Sequence, residues 1–179
     1  MIETRLDKNF KIKGFFDEET STISYVVYDM TSKKCAVIDS VLDFDFSSGT
    51  IDYHNAEKII SFIEKMKLDL EWLIETHVHA DHLSASPYIQ KKLGGKIGIS
   101  EKISDIQNIF GKTFNAGTEF QRDGSQFDRL FRDNDECPIS GEALNKNTKQ
   151  LGCSLCKNTF KLDALENWLD INYRCPNCN

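Results

Sequence analysis

The sequence predicts an α/β domain over residues 1–134, followed by a small α+β module over residues 135–179 that cysteine organises. Three observations carry that prediction. Apolar segments of strand period and helix period alternate through the first part. One loop, Thr76-His77-Val78-His79-Ala80-Asp81-His82, gathers three of the chain's four histidines and an aspartate. Four of the six cysteines form two Cys-x-x-Cys pairs near the end of the chain.

Taking the elements in order, Ile23–Tyr28 and Cys35–Asp39 read as strands, with Thr31–Lys34 as the turn between them. Residues 43–50, rich in Asp, Ser and Gly, read as loop. Ala56–Met66 has apolar residues at helical spacing, and Asn55 is its candidate N-cap. Leu70–Glu75 is an apolar strand that leads into the histidine loop. A helix from about Ser84 to Leu93 is closed by Gly94 and Gly95. Lys96–Ser100 follows as a strand and Ile103–Phe110 as a short helix. Residues 111–132 show no clear period and read as loop with an occasional short element. The acidic run Asp133–Glu136 marks a domain boundary.

Bulk properties narrow the function classes. The length of 179 residues suits one domain, or a domain with an appendage. Apolar residues at 40% and charged residues at 28% describe a globular chain rather than a disordered one. A net charge of -6 argues against non-specific nucleic-acid binding, which needs a basic surface. No apolar run reaches the length of a membrane-spanning helix. The charged stretch Met1–Lys13 has no signal-peptide core, so a cytoplasmic location is expected. Cys35, in an apolar strand, reads as a buried inert thiol, and His54 as a surface residue.

Two clusters carry chemistry. In an extended segment, residues two apart share a side, so His77, His79 and Asp81 are expected to project together, with His82 following as the chain turns. Imidazoles and a carboxylate suit zinc or iron. Such an ion supplies Lewis acidity or an activated water for hydrolysis. His77, His79, Asp81 and His82 are therefore the candidate metal ligands, and Asp81 is also the candidate catalytic group. In the tail, Cys153, Cys156, Cys175 and Cys178 offer two thiolate pairs separated by 18 residues, a spacing that fits one tetrahedral zinc. A module of under about 50 residues has too little core to fold without such an ion.

On the stretches Phe15–Tyr25, Ala36–Asp43, Glu75–Ala85 and Gly124–Asp128, residues 9–134 resemble the metallo-β-lactamase superfamily, within it the glyoxalase II and persulfide dioxygenase branch. The resemblance implies an αββα sandwich with the metal, Zn2+ or Fe2+, at one edge of its two sheets. It implies a thioester or glutathione persulfide as substrate, and places His77 on the first metal ligand, with His79, Asp81 and His82 on the remaining motif positions. Later segments of that family add further histidine and aspartate ligands. No histidine follows His82 here, so the chain is expected to carry half of the sandwich and to hold its ion weakly. The open inner sheet face is then expected to pack on a second copy or on a partner, or else to leave the chain unstable.

The tail has a second resemblance. The order Cys137-Pro138-Ile139, Cys156, Phe160, Leu165, Trp168-Leu169, Cys175-Pro176-Asn177-Cys178 resembles the RING and U-box group. Ser140, Asn158, Lys161 and Ala164 stand at other ligand positions, so only one zinc site is expected, as in the single-zinc variant of SUMO ligases. The resemblance places Ile139, Trp168 and Pro176 where RING domains contact a conjugating enzyme; packing of the module's own small core is the alternative. Three readings are thus in view: a metal-dependent hydrolase or sulfur dioxygenase, incomplete as a lone chain; a zinc-dependent interaction module joined to a structural half-sandwich; or a fusion or truncated product whose half-sandwich has no activity.

Overall fold

The structure is a computed structural model and describes residues 10–136, 150–152 and 159–161. The chain divides into two units, residues 1–132 with 136–142, and residues 133–135 with 143–179. In the first unit, β1 (Phe10–Asp17), β2 (Thr22–Asp29) and β3 (Lys34–Ile38) form an antiparallel meander. A side hairpin, β4 (Val41–Asp45) and β5 (Thr50–Asp52), leads into α1 (His54–Met66). Next come β6 (Asp69–Ile74), the two-residue β7 (Leu83–Ser84), α2 (Ser86–Leu93), β8 (Lys96–Ser100), α3 (Ile103–Thr113) and β9 (Arg129–Phe131). The main sheet has the order β1-β2-β3-β6-β8-β9, parallel from β3 onward. A smaller sheet has the order β5-β4-β7. In the second unit, β10 (Gln150–Gly152) pairs antiparallel with β11 (Thr159–Lys161).

The alternation in β2 decides which face is core. Ser24, Val26 and Tyr28 are buried, whereas Ile23, Tyr25 and Val27 point the other way and are half-buried. Onto the buried face α1 presents Ala56, Ile59, Ile60 and Ile63, one helical stripe. They join Val37, Leu70, Leu73 and the Ile89 of α2 in one core. Each fully buried isoleucine contributes about 1.5–3 kcal/mol. Register pairs Ile12 and Phe16 of β1 with Val27 and Ile23 on the opposite face, with Gly14 across from Tyr25 and Phe10 across from Asp29. There Ile12 is 65% exposed and Phe16 57%. The same face of β3 and β6 carries Ile38, Trp72 and Ile74, none of them fully buried.

The structure departs from the sequence reading at several elements. The stretch expected as loop at 43–50 contains most of β4 and the start of β5; Val41 is buried against the core, but Asp43 turns to the start of α1 and Asp45 is exposed, which masks the apolar pattern. The N-cap of α1 is Tyr53, which makes no side-chain cap bond, so Asn55 is not the cap. Asp43 of β4 performs that service from a distance: its Oδ2 accepts the Asn55 backbone N–H at 2.9 Å. Helix α3 runs three residues past its expected end. Near its end the Gly111 carbonyl accepts the Ala116 backbone N–H at 2.9 Å and a second hydrogen bond from the Arg122 guanidinium at 3.2 Å. Two glycines hold close approaches. A Cβ on Gly98 would lie 2.5 Å from the Phe131 ring, and Gly124 turns at φ +74° against Leu130.

Candidate metal centre

Parallel strands β3 and β6 are neighbours, with Ile38 paired to Ile74, so the residues that follow each strand emerge side by side. Open α/β sheets place ligands at such carboxyl ends. Past β3 comes Asp39, at φ +49°, a left-handed conformation that Asp tolerates better than most residues. Past β6 come Glu75 and the Thr76–His82 loop.

Asp39 organises that loop. Its Oδ1 accepts the Thr76 backbone N–H at 2.8 Å and its Oδ2 accepts the Thr76 hydroxyl at 2.6 Å. The hydroxyl has one proton and spends it on Asp39, so its contact with His77 Nδ1 at 2.8 Å is a hydrogen bond donated by the ring. That tautomer leaves His77 Nε2 free. His79 Nε2 lies 3.0 Å from both Asp39 Oδ1 and Glu75 Oε2, which leaves His79 Nδ1 free. A metal-binding imidazole almost always donates its second N–H to a carboxylate or carbonyl, and the present arrangement supplies that partner in advance.

The electrostatics follow from the same contacts. Burial opposes charge on Asp39, but hydrogen bonds from His79 and Thr76 hold its carboxyl below the usual carboxylate range. Burial likewise opposes charge on His79, and hydrogen bonds to Asp39 and Glu75 overcome it, raising the imidazole to about 9. Burial is also outweighed at Asp81: the Thr22 hydroxyl, donating to Oδ2 at 2.9 Å, and neighbouring His82 lower it to about 2. His82 Nδ1 lies 3.2 Å from Asp81 Oδ2 but is not aligned for a hydrogen bond. With the His82 side chain only 1% exposed, both ring nitrogens are buried without a partner. Such orphans are rare in folded proteins, and an unpartnered imidazole beside carboxylates has the donor chemistry of a metal ligand.

Among the described residues, two donor groups have ligand atoms within 4.8 Å of one another: Asp39, His77 and His79, and then His79, Asp81 and His82. The structure thus brings together the four loop residues singled out from the sequence and adds Asp39. The rings of His77 and His79 are 4.3 Å apart, and those of His79 and His82 are 4.1 Å apart. The loop is not a continuing strand, since β6 ends at Ile74; turns at the loop, not strand alternation, make the side chains converge. Asp39 and Glu75 were signalled only as acidic residues ending apolar strands, a position more often solvated. Beside the loop is a cleft of about 230 Å³, lined by Val41, Leu42, Phe44, Phe46, Asp17 and Asp43 with the residues from His79 to Leu83. Cys153, Cys156, Cys175, Cys178, Ile139, Trp168 and Pro176 lie outside the described residues.

Free imidazole nitrogens, orphaned buried donors and anionic carboxylates at the ends of parallel strands define a metal-binding α/β protein. Residues 18–145 match the metallo-beta-lactamase superfamily, and the chain belongs to that family. It is 50% identical over 133 residues to a protein of Burkholderia pseudomallei (strain 1710b) named probable metallo-hydrolase, covering 74% of this chain and 45% of that protein. It is 38% identical over 130 residues to glyoxylase B2 of Dictyostelium discoideum, covering 72% of this chain and 44% of the relative. The chain therefore spans less than half the length of these relatives. Its fold is like that of the ETHE1 crystal structure from Myxococcus xanthus, with a TM-score of 0.50 and 21% identity over 72% of this chain and 44% of that one. No helix among the described residues is long and apolar enough to cross a membrane.

Proposed function

We propose that the protein holds a zinc or iron ion on its histidine loop and acts on a thioester or persulfide of a glutathione-type thiol. The observation that carries this reading is the convergence of three imidazoles, Asp39 and Asp81 with their free ring nitrogens turned to no protein partner. His77 would bind through Nε2 and His79 through Nδ1, the atoms their hydrogen bonds leave unused. His82 and Asp81 would complete the loop's share of the donor set. When bound, the ion would supply Lewis acidity toward a thioester carbonyl or a water, and iron, unlike redox-inert zinc, would supply the electron transfer that oxidation of a persulfide by O2 requires. Asp81 stays anionic, and its Oδ1, unused by Thr22, orients a water or accepts a hydrogen bond from the nucleophile. Phe44 and Phe46, in edge contact at a centroid distance of 5.0 Å, give the neighbouring cleft an apolar wall for the thiol's organic part.

Residues 83–179 contain no histidine, so no further imidazole at this centre comes from them. The resemblance to glyoxalase II and the persulfide dioxygenases supports the substrate class. The test is oxygen uptake with glutathione persulfide, and thioester cleavage with an acyl-glutathione, on the full chain supplied with Fe2+ or Zn2+. Slow turnover of one substrate, lost in Asp81→Ala, is expected. No turnover with either metal at high protein concentration contradicts the catalytic part of the reading.

The tail supports a second, separate reading. The spacing of Cys153, Cys156, Cys175 and Cys178 suits one structural zinc, and the RING-like order places Ile139, Trp168 and Pro176 against a conjugating enzyme. Binding of such an enzyme to the full chain, lost in Trp168→Ala, is the expected result; no binding to any such enzyme contradicts it.

A further inference from the structure

Glu75 is the second carboxylate on the imidazole of His79, and it belongs to neither donor group around the candidate ion. Its side chain is only 6% exposed, so its oxygens must be matched by donors from the protein. Oε1 accepts hydrogen bonds from the Ser84 and Ser86 hydroxyls. The Ser86 proton is spent there, so the contact between Ser40 Oγ and Ser86 Oγ, at 3.1 Å, is donated by Ser40. Ser40 and Ser86 are themselves fully buried. Ser84 Oγ in turn accepts the Ser86 backbone N–H at 3.1 Å. With Oε1 fixed in this way to β7 and the first residue of α2, Oε2 is left for His79.

We propose that Glu75 is a positioning residue for the metal centre: with Asp39 it grips Nε2 of His79 and thereby keeps Nδ1 aimed at the ion. The inference rests on the reading that the loop holds a metal. Asp39 approaches His79 from the end of β3, where Thr76 fixes both of its oxygens. Glu75 approaches from the end of β6, braced by α2. One carboxylate alone would let the ring swing about a single hydrogen bond. Two carboxylates anchored on different elements fix its rotation, because a flipped ring would present carbon to both and forfeit both bonds. They also place two acidic groups on one imidazole, a surplus of negative charge that a divalent cation at Nδ1 offsets. Carboxylates that hold a metal-binding histidine in this manner typically govern ten- to a hundredfold in metal affinity.

The experiment is a Co2+ titration of the metal-free full chain against a competing chelator, followed by the visible absorption of the bound ion. His77→Ala provides the baseline for Co2+ held elsewhere. The His77-dependent site is expected to weaken by about ten- to a hundredfold in Glu75→Gln, with a shifted absorption band. The double variant Ser84→Ala with Ser86→Ala, which keeps Glu75 but frees Oε1, is expected to weaken it in the same direction. A purely structural Glu75 would lower the melting temperature of the metal-free protein and leave affinity and spectrum unchanged. Affinities within twofold of the wild type in both variants overturn the proposal; should Glu75→Gln fail to fold, the double variant decides alone. If the wild type lacks a His77-dependent site, the metal reading falls and takes this inference with it. If the site is present and the variants match it, only the role of Glu75 falls.

Discussion

At the scale of single residues, the chemistry is set by what burial and hydrogen bonds do to a few titratable groups. Cys35 is 5% exposed, and burial, with Asp69 and Glu71 nearby, pushes its thiol up to about 12. Only the thiolate reacts, so peptide-resolved alkylation at pH 8 is expected to leave Cys35 unmodified until the protein is unfolded. Rapid labelling of Cys35 in the native protein would contradict the packing of β3. Asp17, on the wall of the cleft beside the loop, offers a pH test on folding stability. Burial opposes its charge, but hydrogen bonds from Thr20 and Asn55 prevail and lower its pKa from 3.8. A carboxyl lowered on folding contributes stability that is present above its unfolded pKa and lost as pH falls through its folded one. Asp17→Asn is therefore expected to cost about 1–2 kcal/mol at pH 7 in urea melts, a difference that vanishes in strong acid. The sequence made the histidines legible because their clustering is improbable by composition. It hid Asp39 and Glu75, because a strand-end acid gives no local sign that it will be turned inward.

At the scale of elements, long-range contacts explain what local patterns did not foretell. Strands β2, β3, β6 and β8 and helices α1 and α2 were readable because their buried faces repeat at the strand or helix period. By contrast β5 is exposed at all three residues, and β9 owes its place to pairing with β8 rather than to its own sequence. The start of α1 shows the same limit, since its cap comes from Asp43, twelve residues upstream of Asn55. Asp43→Ala is expected to destabilise the protein by about 1 kcal/mol, as loss of a helix cap does; an unchanged melting midpoint would contradict that assignment. Gly98→Ala drives a Cβ into the Phe131 ring and is expected to cost about 1–3 kcal/mol. The companion change Phe131→Leu should recover part of that loss if the clash is its cause.

At the scale of the whole molecule, the first unit is a helix-covered sheet on whose other face, among the described residues, Ile12 and Phe16 are largely exposed. The family resemblance, resting on stretches spread from Phe15 to Asp128, made that architecture legible; the tail's cysteine spacing supports a zinc module as a proposal of its own. Replacing Ile12 and Phe16 by Lys is expected to lower binding of an apolar dye to the full chain with little loss of stability, because both side chains are largely exposed already. The central claim is that the loop after β6 is a metal centre built on imidazole nitrogens that Asp39 keeps available. Elemental analysis of the purified full chain, wild type beside His77→Ala and Cys175→Ala, tests it most directly. The account predicts that His77→Ala lowers zinc or iron content while Cys175→Ala lowers only a separate, cysteine-held zinc. Equal metal content in wild type and His77→Ala would contradict it.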